Sequence, residues 1–132
     1  MSHFRPHFDS VNAFDITSPA ELYGIARMKY PADDAGPRRI ILRFHRHGCP
    51  PCDMIEPIWL EFSRRSDYKR VKFVGIDVNE TGNRALLEFY HITATPTFVC
   101  VENGKPKVSF SGANVKRLQR MIETGDPGPS DN

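Results

Sequence analysis

The sequence predicts an α/β fold with one mixed central β-sheet and helices on both of its faces. Its length of 132 residues and its hydrophobic content of 39% suffice to bury a single core. Short β-branched segments alternate with segments of helical periodicity, which favours parallel strands joined by helices. Asn103-Gly104 lies between two later apolar segments and is typical of a β-hairpin, so one edge of the sheet is predicted to be antiparallel.

The first half of the chain is predicted to begin with a strand and a short helix. The strand is expected over residues 11–16. Thr17 or Ser18 then caps a helix that has Pro19 at its first position, where a missing backbone N–H is tolerated. Residues 40–44 are apolar and β-rich, and they predict a buried strand.

The strongest helical pattern follows Cys49. Acidic residues stand early in this segment and arginines stand late, in the order that the helix dipole favours. Pro57 is expected to kink the helix without ending it, because its ring blocks the carbonyl of Asp53 from its usual bond. The apolar residues at helical spacing are Met54, Ile55, Ile58, Trp59 and Phe62.

The second half of the chain predicts a strand, a helix, the hairpin and a last helix. The strand is expected over residues 71–78 and the helix over residues 83–90. Residues 97–101 and 107–111 flank the hairpin turn. Asn114 is expected to cap the last helix, whose apolar face consists of Val115, Leu118, Met121 and Ile122.

The chain is predicted to comprise one domain with two flanking segments. We expect residues 1–10 to be an N-terminal extension and residues 11–123 to form the folded domain. Residues 124–132 are rich in Pro, Gly and Asp, a composition typical of a disordered tail or a linker. The sequence contains no internal repeat that would indicate a second copy of the domain.

The charge and the cysteine content narrow the class of protein. Lysine and arginine total 18 against 16 acidic residues, and a net charge of +2 gives no reason to expect nucleic acid or an anionic membrane as a partner. No apolar run reaches the length of a signal peptide or of a membrane span. Three cysteines are too few for a disulfide-stapled secreted scaffold. We expect a monomer located in the cytoplasm, or in the cytoplasm and the nucleus.

Cys49 and Cys52 form a Cys-x-x-Cys pair where a predicted strand ends and a helix begins. The positive end of the helix dipole favours the thiolate of Cys49 over its thiol. The upstream residues Arg43, His45 and His47 are candidates for lowering the pKa of that thiol further. Cys52, one turn later, is placed to attack a mixed disulfide formed at Cys49, which is the logic of thiol–disulfide exchange.

Two other interpretations of this motif remain open. The cysteines could be small buried apolar residues in a turn. The motif also supplies four potential zinc ligands within eight residues, although structural zinc sites usually take their second ligand pair from a distant segment. These four residues are His45, His47, Cys49 and Cys52. Our prediction is that the protein holds no metal and no cofactor. Cys100, in the middle of an apolar strand, is interpreted as a packed core thiol.

Several segments together resemble the thioredoxin family. Residues 44–57, which contain His-Gly-Cys-Pro-Pro-Cys, resemble the active-site segment of the family. Residues 92–98, Ile-Thr-Ala-Thr-Pro-Thr-Phe, resemble its second signature. Residues 102–105 and 110–113 resemble its hairpin and its terminal turn. The order and the spacing of these segments agree over residues 11–123.

The resemblance implies a thioredoxin fold and a thiol–disulfide oxidoreductase. Cys49 would attack a disulfide of a client protein, and Cys52 would resolve the mixed disulfide. Pro96 would be a cis proline opposite the cysteines, and the backbone of Thr95 would pair with an extended client segment. The implied partners are disulfide-containing client proteins and a reductant linked to thioredoxin reductase or to glutathione.

The sequence departs from the family pattern around the cysteines. Gly48 and Pro50 flank Cys49 where thioredoxins carry Trp and Gly, and we assign both to the substrate-binding surface. Arg43 occupies the position of the buried Asp of the family, which helps to deprotonate the second cysteine, and Phe73 occupies the position of its usual lysine partner. We therefore expect the resolving step to be slower, or to use water or another base.

Two finer hypotheses follow from these residues. The basic residue Arg43, Gly48 and residues 95–98 are most similar to the thioredoxin domain of the proteasome-associated thioredoxin-like proteins. Those proteins carry a further C-terminal domain, which we do not expect within these 132 residues, so the proteasome link is not transferred. Arg43 also favours an alternative function, a redox-tuned protein-binding module with weak or no turnover.

Overall fold

The computed structural model describes residues 12–29 and 35–130, which contain a five-stranded mixed sheet. The strands, in chain order, are β1 Ala13–Ile16, β2 Arg39–His45, β3 Val71–Asp77, β4 Thr97–Glu102 and β5 Lys105–Ser111. Their order across the sheet is β1-β3-β2-β4-β5. The first three strands are parallel, while β4 runs antiparallel to β2 and to β5, so the predicted mixed sheet is confirmed.

The helices begin and end close to the predicted residues. Ser18 is the N-cap of the first helix, and the side chain of Asn114 caps the last one by accepting the N–H of Arg117 at 3.0 Å. The second helix continues through Pro57. Within residues 12–29 and 35–130 the α-helices are α1 Pro19–Ala26, α2 Pro50–Ser63, α3 Arg84–Phe89 and α4 Val115–Thr124, with short 3-10 helices at Ser66–Tyr68 and Thr81–Asn83.

The sheet buries a separate core on each face, because successive side chains of a strand point to opposite faces. One core packs α2 and α4 against Ile41 of β2, and the other packs α1 and α3 against Ile40 and Leu42. Trp59 and Cys100 belong to the first core, at 2% and 0% exposed, as predicted. Arg43, two residues after Ile41, therefore points toward the side of the sheet that α2 covers.

The structure describes the predicted C-terminal boundary of the domain but only part of the predicted N-terminal boundary. The expected first strand is present from Ala13 onward, whereas residue 11 and the predicted extension over residues 1–10 lie outside the described residues. At the other end, where the composition predicts a disordered tail or a linker, Pro127 is buried and the carbonyl of Gly128 accepts a hydrogen bond from Arg117 at 2.9 Å. Burial of an apolar ring and a paired carbonyl hold the segment after α4 against the domain.

No helix within the described ranges combines the length and the apolar character needed to cross a membrane.

Candidate active site

Cys49 and Cys52 form a disulfide at the start of α2, with their Cα atoms 5.2 Å apart. Cys49 has extended backbone geometry and is the N-cap of the helix. Its sulfur accepts the backbone N–H of Cys52 at 3.3 Å, while the N–H of Asp53 donates to the carbonyl of Cys49 at 3.0 Å. The strand-to-helix junction predicted from the sequence thus places one helix N–H directly on the first sulfur.

The disulfide is covered, and its neighbours form an exposed rim. Cys49 is 1% and Cys52 is 2% exposed, whereas Gly48 and Pro50 on either side of Cys49 are exposed. Gly48 has φ of 73°, a left-handed backbone conformation that glycine adopts without a steric penalty. The carbonyl of Gly48 accepts a hydrogen bond from Arg46 at 3.3 Å.

Thr95 and Pro96 lie beside the first cysteine. The peptide bond between them is cis, as the resemblance implies. The Thr95 hydroxyl donates to the sulfur of Cys49 at 3.4 Å, and the Thr95 carbonyl oxygen lies 3.6 Å from the same sulfur. The N–H of Gly112 donates to the carbonyl of Pro96 at 2.9 Å, which fastens the loop to the end of β5. A hydroxyl donor toward Cys49 was not predicted from the sequence.

An open groove of about 510 Å³ lies beside Thr95. Its walls are part polar and part apolar, and one cationic side chain is among them. The side chains that line it include those of Arg46, Val78, Leu87, Ile92 and Thr95. A groove of this kind suits an extended peptide, because apolar pockets can take alternate side chains while its backbone pairs with the loop.

Arg43 is buried beneath α2. The residue is 3% exposed, its Nη2 lies 3.4 Å from Oε1 of Glu56, and its guanidinium lies 5.3 Å from the centre of the Trp59 ring. Burial lowers the pKa of Arg43, and the negative charges of Glu56 and Asp15 oppose that effect. Its Nε is buried without a hydrogen-bond partner among the described residues. The Arg43 side chain is therefore buried and paired with a carboxylate.

His45 follows Arg43 by two residues on β2, so its side chain lies on the same face of the sheet. Its Nε2 is buried and lies 4.0 Å from Oδ1 of Asp15. Burial lowers the pKa of His45, Arg43 lowers it further, and Asp15 opposes both. Gly75 pairs with Arg43 on one side and with Asp15 on the other, and a Cβ at Gly75 would collide with the Asp15 carboxylate. The absent side chain of Gly75 is what lets Asp15 approach His45.

His47 is separated from this cluster. Its side chain is exposed, whereas His45 is half-buried, so the two histidines do not share an environment. Across residues 12–29 and 35–130, no group of three or more His, Cys, Asp or Glu side chains is arranged to hold a metal ion.

Sequence reasoning missed Glu56, Asp15 and Gly75 as parts of the site. Glu56 carries a usable signal, since it follows Cys52 by four residues on a predicted helix and therefore shares its side of that helix. Asp15 carries no such signal, because it reaches the site through the pairing of β1 with β3. Cys100, free and buried, has its pKa raised to about 11 by burial and takes no part in the site.

Comparison with known proteins identifies the family. The thioredoxin family model matches residues 33–124. Thioredoxin from Ictalurus punctatus is 30% identical over 116 residues, which cover 88% of this chain and 94% of that protein. Thioredoxin from Gallus gallus is 32% identical over 90 residues, which cover 68% of this chain and 82% of that protein.

Solved structures agree with these relatives. The structure of Fasciola hepatica thioredoxin superposes with a TM-score of 0.69 at 30% identity, covering 83% of this chain and 95% of that one. Thioredoxin F from spinach chloroplast, at 19% identity, supports the fold alone, with a TM-score of 0.73 over 89% of this chain and 96% of that one. The chain has the thioredoxin fold and belongs to the thioredoxin family, and with its disulfide-forming pair Cys49 and Cys52 it is a thiol–disulfide oxidoreductase.

Proposed function

We propose that this oxidoreductase acts on protein disulfides, with Cys49 as the attacking thiolate and Cys52 as the resolving thiol. The observation that carries the assignment is the position of Cys49 at the N-cap of α2, where its sulfur accepts the N–H of Cys52 and the hydroxyl of Thr95. Both donors and the helix dipole stabilise negative charge on that sulfur. Cys52 lies in the first turn behind it, within reach of a mixed disulfide at Cys49.

The client-binding surface in this proposal consists of Gly48, Pro50, Thr95 and Pro96. Gly48 and Pro50 are the exposed neighbours of Cys49, and the half-buried Thr95 would pair through its backbone with an extended segment. A client that pairs with that backbone brings its own disulfide close to Cys49, because the Thr95 carbonyl oxygen lies 3.6 Å from the sulfur. Client side chains then occupy the groove beyond Thr95.

The three candidates for lowering the pKa of the cysteine thiols differ in the charge that they carry. They are Arg43, His45 and His47. Arg43 keeps its positive charge in a protein at any working pH. Burial lowers the pKa of His45, so its imidazole is predominantly neutral at neutral pH and adds little charge. His47 is exposed, where water and salt screen its charge. Arg43 is therefore the strongest of the three candidates.

The partners in this proposal are disulfide-containing client proteins and a reductant of the thioredoxin-reductase type or linked to glutathione. Either reductant returns the disulfide to two thiols by the same exchange chemistry. We place the protein in the cytoplasm, or in the cytoplasm and the nucleus, as a monomer. The likeness to the thioredoxin domain of proteasome-associated thioredoxin-like proteins rests on Arg43, Gly48 and residues 95–98, and it extends to that domain only.

A redox-tuned binding module is the second candidate function. Two observations favour it, namely Arg43 at the position of the family's Asp and the near-complete burial of both cysteines. Such a module would capture a partner through the same surface without repeated turnover.

The test is repeated reduction of insulin disulfides in the presence of dithiothreitol. We expect the wild type to reduce many equivalents, Cys49→Ser to reduce none, and Cys52→Ser to stop as a mixed disulfide. Cys100→Ser is the control and should match the wild type, because that thiol is buried away from the site. A single equivalent of product from the wild type would favour the binding module instead.

A further inference from the structure

The Arg43–Glu56 pair lies where the resolving step needs a base. Cys52 is 2% exposed, so bulk water has little access to its thiol proton. Glu56 follows Cys52 by four residues on α2, and side chains at this spacing are neighbours on a helix surface. Oε1 of Glu56 also lies 3.4 Å from Nη2 of Arg43. Glu56 is thus a neighbour of the second cysteine along the helix and, at the same time, the ion-pair partner of a buried guanidinium.

Arg43 is held firmly enough to orient that carboxylate. The residue is 3% exposed, and its guanidinium packs over the ring of Trp59, which follows Glu56 by three residues on the same helix. A buried cation needs a paired anion, and the Glu56 carboxylate lies within ion-pair distance of Arg43. Without Arg43, the side chain of Glu56, which is 53% exposed, would be free to turn into solvent.

We propose that Glu56 is the general base for Cys52 in the resolving step and that Arg43 is its positioning residue. The proposal rests on the assignment of Cys49 as the attacking and Cys52 as the resolving cysteine. It replaces the buried Asp of the family by a carboxylate from the helix, with the charge at the strand position reversed.

The step balances in atoms and electrons. In the mixed disulfide, the sulfur of Cys49 is bonded to a client sulfur. Glu56 takes the proton of the Cys52 thiol, and the resulting thiolate attacks the sulfur of Cys49. The bond between Cys49 and Cys52 forms as the bond between Cys49 and the client breaks. The client sulfur leaves as a thiolate with the electron pair of the broken bond, and it takes up a proton from Glu56 or from water. The cysteine pair is oxidised and the client disulfide is reduced by two electrons.

Other ionisable groups around the pair are engaged elsewhere. Asp15 of β1 is 75% exposed and lies two strands away from Arg43, on the far side of Gly75. His45 of β2 faces Asp15 at 4.0 Å. Asp77, at the end of β3, accepts the N–H of Asn79 at 2.9 Å. Each of these groups affects the local field, but Glu56 is the one that shares the helix surface of Cys52.

The experiment separates the two chemical steps with 5,5′-dithiobis(2-nitrobenzoate) as the probe. Attack by Cys49 of the reduced protein releases one thionitrobenzoate, and attack by Cys52 on the mixed disulfide releases a second. We expect Glu56→Gln to slow the second release by about 10-fold or more, since general bases typically contribute 10²–10⁴-fold, and to leave the first release within about twofold. Glu61→Gln, an exposed change on the same helix, is the matched control and should leave both releases unchanged.

Three further readouts distinguish a base from a structural support. As the pH is lowered, the rate of the second release should begin to fall at a lower pH in the wild type than in Glu56→Gln. Glu56→Asp should recover part of the rate, and Arg43→Met should slow the second release more than the first. Trp59 fluorescence reports whether each variant keeps the packing beneath α2. An unchanged second release in folded Glu56→Gln, or equal slowing of both releases, would overturn the proposal.

Failure of the underlying assignment would show itself separately. If Cys52→Ser still gave a prompt second release, or Cys49→Ser a normal first release, the roles of the cysteines would be wrong and the proposal would fall with them. The two releases could instead depend on Cys49 and Cys52 as assigned, while Glu56→Gln has no effect on either. That result would reject Glu56 as the general base but keep the roles of the cysteines.

Discussion

Burial controls the charge of His45, one of the side chains near the cysteine pair. Its pKa is lowered in the folded protein, while in the unfolded chain it returns to about 6.5. As the pH falls through that value, the unfolded chain binds a proton before the folded protein does. The free energy of unfolding therefore decreases on acidification, and the contribution of His45 is fully favourable only above about pH 6.5.

Replacing His45 by Gln should remove this part of the acid sensitivity. We expect the free energy of unfolding, measured by urea denaturation between about pH 5 and pH 7.5, to fall less steeply in the variant than in the wild type. The carboxylates titrate in both proteins, so their contribution to the pH dependence cancels when the two slopes are compared. Equal slopes would show that His45 has the same proton affinity in the folded and the unfolded chain.

The hydroxyl of Thr95 is a second residue whose effect can be isolated. It donates to the sulfur of Cys49 at 3.4 Å, so Thr95→Val should raise the pKa of the Cys49 thiol in the reduced protein. A hydrogen bond of about 1 kcal/mol corresponds to roughly a fivefold slower attack on a disulfide near neutral pH. Thiolate absorbance during a pH titration measures the first effect, and the first thionitrobenzoate release measures the second. Thr93→Val, an exposed change in the same loop, is the control.

At the scale of elements, local chemistry in the sequence predicted most of what forms. Pro19 and Asn114 begin helices as expected, and Asn103-Gly104 turns the hairpin, with φ of 52° and 75°. These signals act within a few residues, and therefore a single sequence reveals them. The junction of β2 with α2 was predictable for the same reason, which is why Cys49 and Cys52 were identified correctly as the disulfide pair.

The 3-10 helix at Thr81–Asn83 shows a constraint between elements that no local pattern reveals. A Cβ at Gly82 would overlap the backbone carbonyl oxygen of Thr17, at the end of β1. Backbone atoms cannot move aside as a side-chain tip can, so we expect Gly82→Ala to lower the free energy of unfolding by about 1–3 kcal/mol. Urea denaturation measures the change.

Gly24→Ala provides the matched comparison for that change. Gly24 lies inside α1, and a Cβ there would meet nothing within 4 Å. Alanine should stabilise the helix by about 0.5–1 kcal/mol, because it removes the extra backbone freedom of glycine in the unfolded chain. Equal effects of the two substitutions would show that β1 yields to the new methyl group at Gly82.

At the scale of the whole molecule, the register of the sheet assembles the charged cluster. One row across the sheet contains a residue from each of three strands, namely Asp15, Gly75 and Arg43. The sequence predicted Arg43 as unusual, but its partners depend on which strands are neighbours and on their exact pairing. That information is spread over the chain, and hydrophobic patterns alone do not determine it. The covered state of Cys49 has the same origin, since Thr95 lies 46 residues away in the chain.

The segment after α4 tests where the folded unit ends. Pro127 is buried, and the carbonyl of Gly128 accepts a hydrogen bond from Arg117, whose guanidinium lies 4.8 Å from the centre of the Phe110 ring in the core. Ending the chain after Gly125 removes this cover but keeps the left-handed residue that terminates α4. We expect the free energy of unfolding to fall by about 1–3 kcal/mol through lost apolar burial and the lost hydrogen bond.

Thermal unfolding of the oxidised protein measures the effect of this truncation. A loss of that size lowers the Tm of a domain of this length by several degrees, at about 2–8 °C for each kcal/mol. Removing only residues 131–132 is the control, because it leaves Pro127 and Gly128 in place, and it should leave the Tm unchanged. If both truncations left the Tm unchanged, the contacts of the segment after α4 would contribute nothing to stability, and the composition-based prediction of a disordered tail or linker would describe it better.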